Sequence, residues 1–483
     1  MHIPFIRPTT GPTGQSPVIK VAASALATLE ATIGARPAES GAILFADRAG
    51  VVRAAEFDAG SHATSVTYSP DLAFAKALDL ELTRRHDLAF VGFAHSHPAG
   101  GTTPSGPDRA YAAQLMAFKK RTDLLLPILQ TVPDTGHFAI HWWVARAGDA
   151  GAPAHVEPAR MEVVSEPDES WLGRVRGSLD LGALRDARVI AAGIGGARSA
   201  LEDLARCGVG QFVLLDPDVY EPTNLATQHV RRSEVGLGKA VVTAMALRDI
   251  NPDAVVVALP LRVEDALAAA PGREQLLYGR LGGRAPSRTL LGAWTDSHPA
   301  NAFVAHLGLV EGLPVVFADL FANATAGAVA FVAPGISTAC HRCWVGRRYA
   351  HYEAGGDNPV TSVGAEIWAT SRLNALKTRV TLLLLQSRYG GGTGRFATTE
   401  AGPADALVEA LASRPIGVLK LRPEVEAATG LPVFRLFEER LEPHLRGAVQ
   451  LDTTLWTPLT PKPGCPECGG LGGLAGRRDV GVA

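Results

Sequence analysis

The string Ala94-His-Ser-His97, with Pro98, Ser105 and Asp108 close behind, contains residue types that can hold a catalytic metal. His95 and His97 close the apolar run Leu88–Ala94, which predicts a strand, and side chains two apart on a strand share a face. Two imidazoles and a carboxylate occupy three corners of a tetrahedron and leave the fourth to water. Zinc held in this way brings the pKa of its water close to neutrality. A base must then take the proton. Glu39, in Pro37-Ala-Glu-Ser-Gly41 just before a predicted strand, is the candidate. Ser105, three residues ahead of Asp108, can donate a hydrogen bond to an oxyanion.

Taken together, Glu39, His95, His97, Pro98, Ser105 and Asp108 resemble the motif of the JAMM (JAB/MPN) metallopeptidases. The resemblance covers residues 18–147. It implies a zinc-dependent peptidase or isopeptidase that cleaves after the C-terminal tail of a ubiquitin-like protein. Zinc would sit on His95, His97 and Asp108, with Glu39 and Ser105 as further catalytic groups.

A second constellation follows the predicted strand Arg188–Ala192. The stretch Gly193-Ile-Gly195-Gly196-Ala-Arg198-Ser199 is a Gly-rich turn from strand to helix, which cradles phosphate with backbone N–H groups and the helix dipole. The next predicted strand, Gln211–Leu215, leads into Asp216, where an acidic side chain can hold ribose hydroxyls. To this point a nicotinamide dehydrogenase fits as well as an ATP-using enzyme. Residues 216–230 (DPDVYEPTNLATQHV) and 234–239 (EVGLGK) then resemble the ThiF/MoeB and ubiquitin-activating superfamily, which adenylates the C-terminal carboxylate of ubiquitin-like proteins.

This second resemblance covers residues 170–395 and resumes near 464. It implies ATP at Gly193, Gly195 and Gly196, ribose on Asp216, the triphosphate along Asn224, Gln228 and Lys239, and magnesium on Asp296. The chain departs from the pattern at Thr227, where the family has a phosphate-binding Arg, and at Arg198, where it has a small Gly. Arg231 or Arg232 is a candidate replacement for the missing charge. Arg174 or Arg176 matches the family's arginine that reaches into a partner subunit's site, so a homodimer is implied.

Four of the five cysteines form two Cys-x-x-Cys pairs, Cys340/Cys343 and Cys465/Cys468. Two such pairs can complete a tetrahedral four-cysteine zinc site across a long gap, and small Gly469 and Gly470 permit the tight turn. Paired cysteines of this kind occur in the ThiF/MoeB family as a structural zinc site. Many of its members also pass the adenylate to a cysteine in a crossover loop. Here that loop is expected near 345–365, and it holds no cysteine. Cys207, at a predicted helix end, reads as a buried small side chain. The acceptor is then another protein, a sulfur donor, or a hydroxyl such as Thr361 or Ser362.

The elements that must carry these residues form two α/β regions. Residues 18–33 show helical spacing. Strands are predicted at 41–46, 51–57, 64–68, 88–94, 124–131 and 137–147, and helices at 72–86 and 107–122, giving a JAB/MPN-type mixed sheet over residues 1–147. Residues 148–170, rich in Ala, Gly, Pro and Glu, read as a linker. From 171 to 483 a strand–turn–helix–strand order predicts a Rossmann-like domain with a mainly parallel sheet. Its further strands are expected at 254–258, 289–293, 315–318, 328–332 and 448–455, and helices at 405–413 and 423–429; residues 278–287 read as a surface loop.

The 483 residues carry a formal net charge of −2, so no broad basic field points to nucleic acid or an anionic membrane. Neither a signal pattern at the start nor an unbroken apolar run of about twenty residues is present. The expectation is a soluble cytoplasmic protein whose partners are a ubiquitin-like or sulfur-carrier protein and a transfer enzyme. It would serve a bacterial conjugation system, one of phage defence among them, or sulfur-carrier metabolism. The alternative is an active peptidase whose ThiF-like part is a non-catalytic scaffold.

Overall fold

The computed structural model describes residues 16–34, 39–63, 68–85, 88–97, 101–131, 138–148, 152–164, 170–268, 272–357, 365–390, 404–422, 439, 443–445 and 453–469. The chain divides into two compact units. One comprises residues 1–169, 244–260 and 265–285, the other 170–243, 261–264 and 286–483.

The first unit opens with strand β1 (Val18–Ala22), helix α1 (Ala23–Ala31), β2 (Gly41–Ala46), β3 (Val52–Phe57), and the short pair β4 (His62–Ala63) and β5 (Tyr68–Ser69). Then come α2 (Leu72–Arg85), β6 (Ala89–His97), α3 (Gly106–Lys119), β7 (Asp123–Leu125), β8 (Ile128–Thr131), β9 (Phe138–Arg146) and β10 (His155–Val164). The helical spacing at 18–33 is therefore split. Its first five residues pair in parallel with β10, and the helix begins at Ala23. Residues 64–67 of the strand expected at 64–68 lie outside the described residues, as does Pro98.

The sheet is mixed, as expected, and it returns on itself. The order runs β10-β1-β3-β2-β6-β7-β9, and β10 pairs again with β9. The stretch read as a linker thus supplies a strand. Its composition misled because β10 buries few of its side chains, so no apolar alternation marks it. Strand β6 lies between β2 on one side and β7 and β8 on the other, buried from Val91 to His97. Gly92 lets β7 approach, since a Cβ there would fall 1.9 Å from the Leu125 carbonyl oxygen.

The second unit begins with α4 (Leu181–Arg185), β11 (Ala187–Ala192), α5 (Arg198–Arg206) and β12 (Gln211–Leu215). Next along the chain come α6 (Lys239–Ile250), β13 (Val255–Leu259), α7 (Val263–Leu267) and α8 (Gly272–Leu277), of which residues 244–260 and 265–285 belong to the first unit. The chain continues through β14 (Arg288–Ala293), α9 (His298–Glu311), β15 (Val315–Leu320), β16 (Ala326–Val332), α10 (His341–Glu353), α11 (Ile367–Leu385), α12 (Asp405–Ala412), β17 (Ile416–Lys420) and β18 (Thr454–Thr457).

Strands β12, β11, β14 and β15 are parallel neighbours, the βαβ arrangement that the order of elements implies. To this Rossmann-like part the sheet adds an antiparallel end, through β16, β17 and β18. Only five residues join β15 to β16, too few for a crossover helix, so the chain must fold back. The first nine residues of the expected crossover loop at 345–365 are also helical, because α10 runs to Glu353; Thr361 and Ser362 lie outside the described residues. The helix expected at 423–429 lies outside them as well.

Candidate functional site

In the first unit, β6 delivers both histidines to the buried end of its apolar run, where His95 is 1% and His97 7% exposed. Their Nε2 atoms are 3.0 Å apart. Asp108, in the first turn of α3, brings Oδ1 to 3.2 Å from His95 Nε2 and Oδ2 to 3.3 Å from His97 Nε2. A tetrahedral zinc with bonds of about 2.0–2.1 Å needs ligand atoms about 3.3 Å apart, so these three groups fit one. Burial works against the Asp108 charge, but hydrogen bonds from His95, His97 and Ser105 outweigh it and hold the carboxyl well below its usual range.

Glu39 is half-buried and lies close enough to feel His95, His97 and Asp108. Burial raises its pKa, while the two imidazoles pull the other way. Its neighbour Ser40 is fixed by Ser96, the residue between the histidines. The Ser40 amide donates to Ser96 Oγ at 2.9 Å, and the Ser96 amide donates to the Ser40 carbonyl at 2.9 Å.

Ser105, expected as an oxyanion donor, is the N-cap of α3, and its hydroxyl and amide both lie 2.7 Å from Asp108 Oδ2 as donors. Tyr68 and Phe93, which the sequence did not single out, lie stacked beside the His95 ring with centroids 5.9 Å away.

In the second unit, β11 ends in the Gly-rich turn. Gly193 has φ +84°, and a Cβ there would meet the Trp294 carbonyl oxygen at 2.7 Å, so the turn needs glycine. Asp216, at the end of β12, accepts from the amides of Ile194 at 2.7 Å and Asp218 at 3.0 Å. Burial raises its pKa, and those amide hydrogen bonds and the Lys239 charge oppose the rise. Lys239 Nζ donates to Asp218 Oδ2 at 2.9 Å.

Gly193, Gly195, Gly196, Asp216, Gln228, Lys239 and Asp296 all line one cavity of about 340 Å³. A neighbouring cavity of about 440 Å³ shares Gly196, Gln228, Trp294, Thr295 and Asp296 with it and is also lined by Thr227, Arg347, Arg348 and Lys377. Asn224 lines neither; its Oδ1 accepts from the Glu221 amide at 2.8 Å and caps a short turn. Arg231 and Arg232 are exposed and line neither cavity. Arg198 turns away from the phosphate turn and is buried against Glu234 at 2.8 and 3.1 Å and Glu202 at 2.9 Å. Arg174 and Arg176 are exposed.

The four paired cysteines converge and are buried. Sγ separations are 3.9 Å for Cys340–Cys343, 3.7 Å for Cys340–Cys465 and 3.6 Å for Cys343–Cys468. A zinc with four bonds of about 2.3 Å places sulfurs about 3.8 Å apart, so the thiolates fit a closed tetrahedral site. Cys340 begins α10, and the second pair sits in a turn where Gly469 has φ +74° and its amide donates to the Cys465 carbonyl at 2.8 Å. Gly470 lies outside the described residues. Cys207 is half-buried, and burial raises its pKa, with Asp203 adding to the effect.

Residues 172–382 match the model of the ThiF family, and residues 21–153 match that of prokaryotic homologs of the JAB domain. The chain is 28% identical over 161 residues to ubiquitin-like modifier-activating enzyme 5 of Branchiostoma floridae, covering 33% of this chain and 39% of that one. It is 30% identical over 142 residues to the SAMP-activating enzyme E1 of Haloferax volcanii, covering 29% and 48%. Over 82 residues it is 44% identical to tRNA threonylcarbamoyladenosine dehydratase of Escherichia coli, covering 17% and 31%. The chain thus spans less than half the length of each of these relatives. Among solved structures, E. coli MccB aligns at 16% identity with a TM-score of 0.36, covering 60% of this chain and 67% of that one. No helix among the described residues is long and apolar enough to cross a membrane.

Proposed function

From a chain that joins a JAB-type segment to a ThiF-family segment, we propose an enzyme with two activities on one substrate, the C-terminus of a ubiquitin-like or sulfur-carrier protein. One activity is zinc-dependent hydrolysis of a peptide or isopeptide bond after that C-terminus. The other is its ATP-dependent adenylation. The observation that carries the reading is the convergence of His95, His97 and Asp108 within 4.8 Å of one another beside a half-buried Glu39, in a segment of JAB type.

His95, His97 and Asp108 would hold zinc, which when bound acidifies a water and polarises the scissile carbonyl. Glu39, its pKa raised by burial, accepts the proton of the attacking water and returns it to the leaving amine. Ser105 orients Asp108 and closes the first turn of α3.

In the second unit the amides of the Gly-rich turn face the phosphates and Asp216 takes the ribose. Gln228 and Lys239 lie along the triphosphate, and Asp296 would hold magnesium. Lys239, with magnesium when bound, would offset the repulsion between the carboxylate and the α-phosphate as a carboxylate oxygen bonds to the α-phosphorus and the bond to pyrophosphate breaks. Cys340, Cys343, Cys465 and Cys468 would hold a structural zinc. The adenylate passes to a partner, a transfer enzyme or a sulfur donor, because Cys207 is a poor thiolate. Such a pair of activities suits a bacterial conjugation system, phage defence included, or sulfur-carrier metabolism, in a cytoplasmic homodimer.

One observation favours the second reading, in which the ThiF-like part is a non-catalytic scaffold. Asn224, expected at the triphosphate, lines neither cavity, and neither does Arg231 or Arg232, the alternative candidates for the charge missing at Thr227. Incubation with a ubiquitin-like protein carrying a C-terminal extension, with cleavage and ATP–pyrophosphate exchange measured separately, decides between them. Cleavage with exchange supports the two-activity reading; cleavage with neither exchange nor ATP binding leaves the scaffold.

A further inference from the structure

Helix α11 brings into the second unit a cation that the mechanism above does not use. Lys377 is 4% exposed and lines the larger cavity, the one that shares Gly196, Trp294 and Asp296 with the nucleotide cavity. Its Nζ donates to Asn374 Oδ1 at 2.8 Å and lies 5.0 Å from the centroid of the Trp294 ring. Asn374 in turn donates to the Gly196 carbonyl at 2.7 Å and to Ser199 Oγ at 2.8 Å. A single side chain therefore ties Lys377 to the turn that faces phosphate.

A buried ammonium without a counter-charge is unfavourable. Among the described residues Lys377 makes its hydrogen bond to a neutral amide, and burial pushes its pKa down to about 7. The charged and titratable groups facing the same cavity are Asp296 after β14, His298 on α9, Asp319 on β15, and Arg347, Arg348, His351 and Tyr352 on α10. Trp294 lines it too and is 7% exposed. A buried ammonium at the wall of this cavity, hydrogen-bonded to a neutral amide, suits an anion.

We propose that Lys377 contacts the nucleotide phosphate beside the Gly-rich turn and supplies there the positive charge that Thr227 does not. The inference rests on the adenylation reading and assigns a further binding residue to it. Phosphate gives Lys377 the counter-charge it lacks, so the ammonium form is favoured when nucleotide binds, and a proton is taken up from solvent above neutral pH.

The test is calorimetric titration of the parent, Lys377→Met and Lys377→Arg with AMP and with adenosine. Met keeps much of the volume and removes the charge. A charge-assisted contact is worth about 1.5–3 kcal/mol, so Lys377→Met should weaken AMP binding roughly 10- to 100-fold. Adenosine affinity should stay unchanged, and Lys377→Arg should keep most of the AMP affinity. AMP binding by the parent at pH 8 should also take up protons, seen as a heat that depends on the buffer's ionisation enthalpy and is lost in Lys377→Met. Equal AMP affinity in parent and Lys377→Met overturns the inference. So does an equal loss for AMP and adenosine, which marks a purely structural role, or the absence of proton uptake by the parent, a measurement that needs no variant. A parent that binds neither AMP nor ATP overturns the adenylation reading and the inference together; measurable pyrophosphate exchange that is equal in parent and Lys377→Met at sub-saturating ATP removes the inference alone.

Discussion

Ser40 and Ser96 are joined by two hydrogen bonds, each 2.9 Å long, so the residue after Glu39 is fixed to the residue between the two histidines. The candidate base and two candidate metal ligands come from β6 and the start of β2, and this pair sets their mutual position. Ser96→Ala removes the acceptor of the Ser40 amide. The expected result is a loss of about 1 kcal/mol in stability and a fall in kcat with zinc still bound. Glu39→Gln should be more severe, about 10²–10⁴-fold in kcat, again with zinc content unchanged. Metal analysis alongside cleavage rates checks both; Glu39→Gln cleaving at the parent rate removes the base assignment.

The buried pair of Arg198 and Glu234, both side chains 3% exposed, accounts for an arginine at the position where the resemblance to ThiF/MoeB proteins implies glycine. Removing one partner leaves the other charge buried, so Arg198→Ala is expected to destabilise by about 3–5 kcal/mol. Burial alone would raise the Glu234 pKa, but hydrogen bonds and charge from Arg198 lower it below the ordinary value of 4.5. A carboxyl whose folded pKa is depressed contributes stability above the unfolded pKa and loses it as pH falls through the folded one. The parent should therefore lose stability relative to Arg198→Met/Glu234→Leu as pH falls from 7 through the depressed Glu234 pKa, read by denaturant unfolding of both. A gap that stays constant from pH 7 to pH 3 would show that Glu234 is not held in this way.

Zinc at the four cysteines would couple to folding. Cys465→Ser should lower the metal content from two zinc ions per chain to one, lower Tm, and leave Glu39-dependent cleavage of a ubiquitin-like fusion intact below the new Tm. Four freely titrating thiols at these positions in the native protein, with no zinc lost on substitution, would contradict the assignment.

Cys207 sits at the end of α5 with its thiol pushed towards the protonated form by burial and by Asp203. Thiolate is the reactive form, so Cys207→Ala should leave pyrophosphate exchange unchanged. A reductant-sensitive adduct with the ubiquitin-like protein, present in the parent and lost in Cys207→Ala, would assign this cysteine a covalent role.

Local sequence determined much of this protein. The alternation at His95 and His97 follows from a strand's period of two, and the break at Gly193 from a turn that a side chain would obstruct. The strands β11 and β12, the Gly-rich turn between them and the start of α5 near Arg198 are legible because their patterns are local and short. Tertiary structure decided the rest. Strand β10 has few buried side chains and exists because β1 and β9 offer it open edges, which composition cannot show. Whether Asn224 or Lys377 faces the nucleotide cavities depends on how α11 and the turn at 222–226 pack, and neither position stands out by residue type alone. Arg198 is a misfit beside phosphate until Glu234, 36 residues on, is seen against it. A pairing across such a separation leaves no periodic trace in the chain, since it is set by the packing of elements rather than by their propensities.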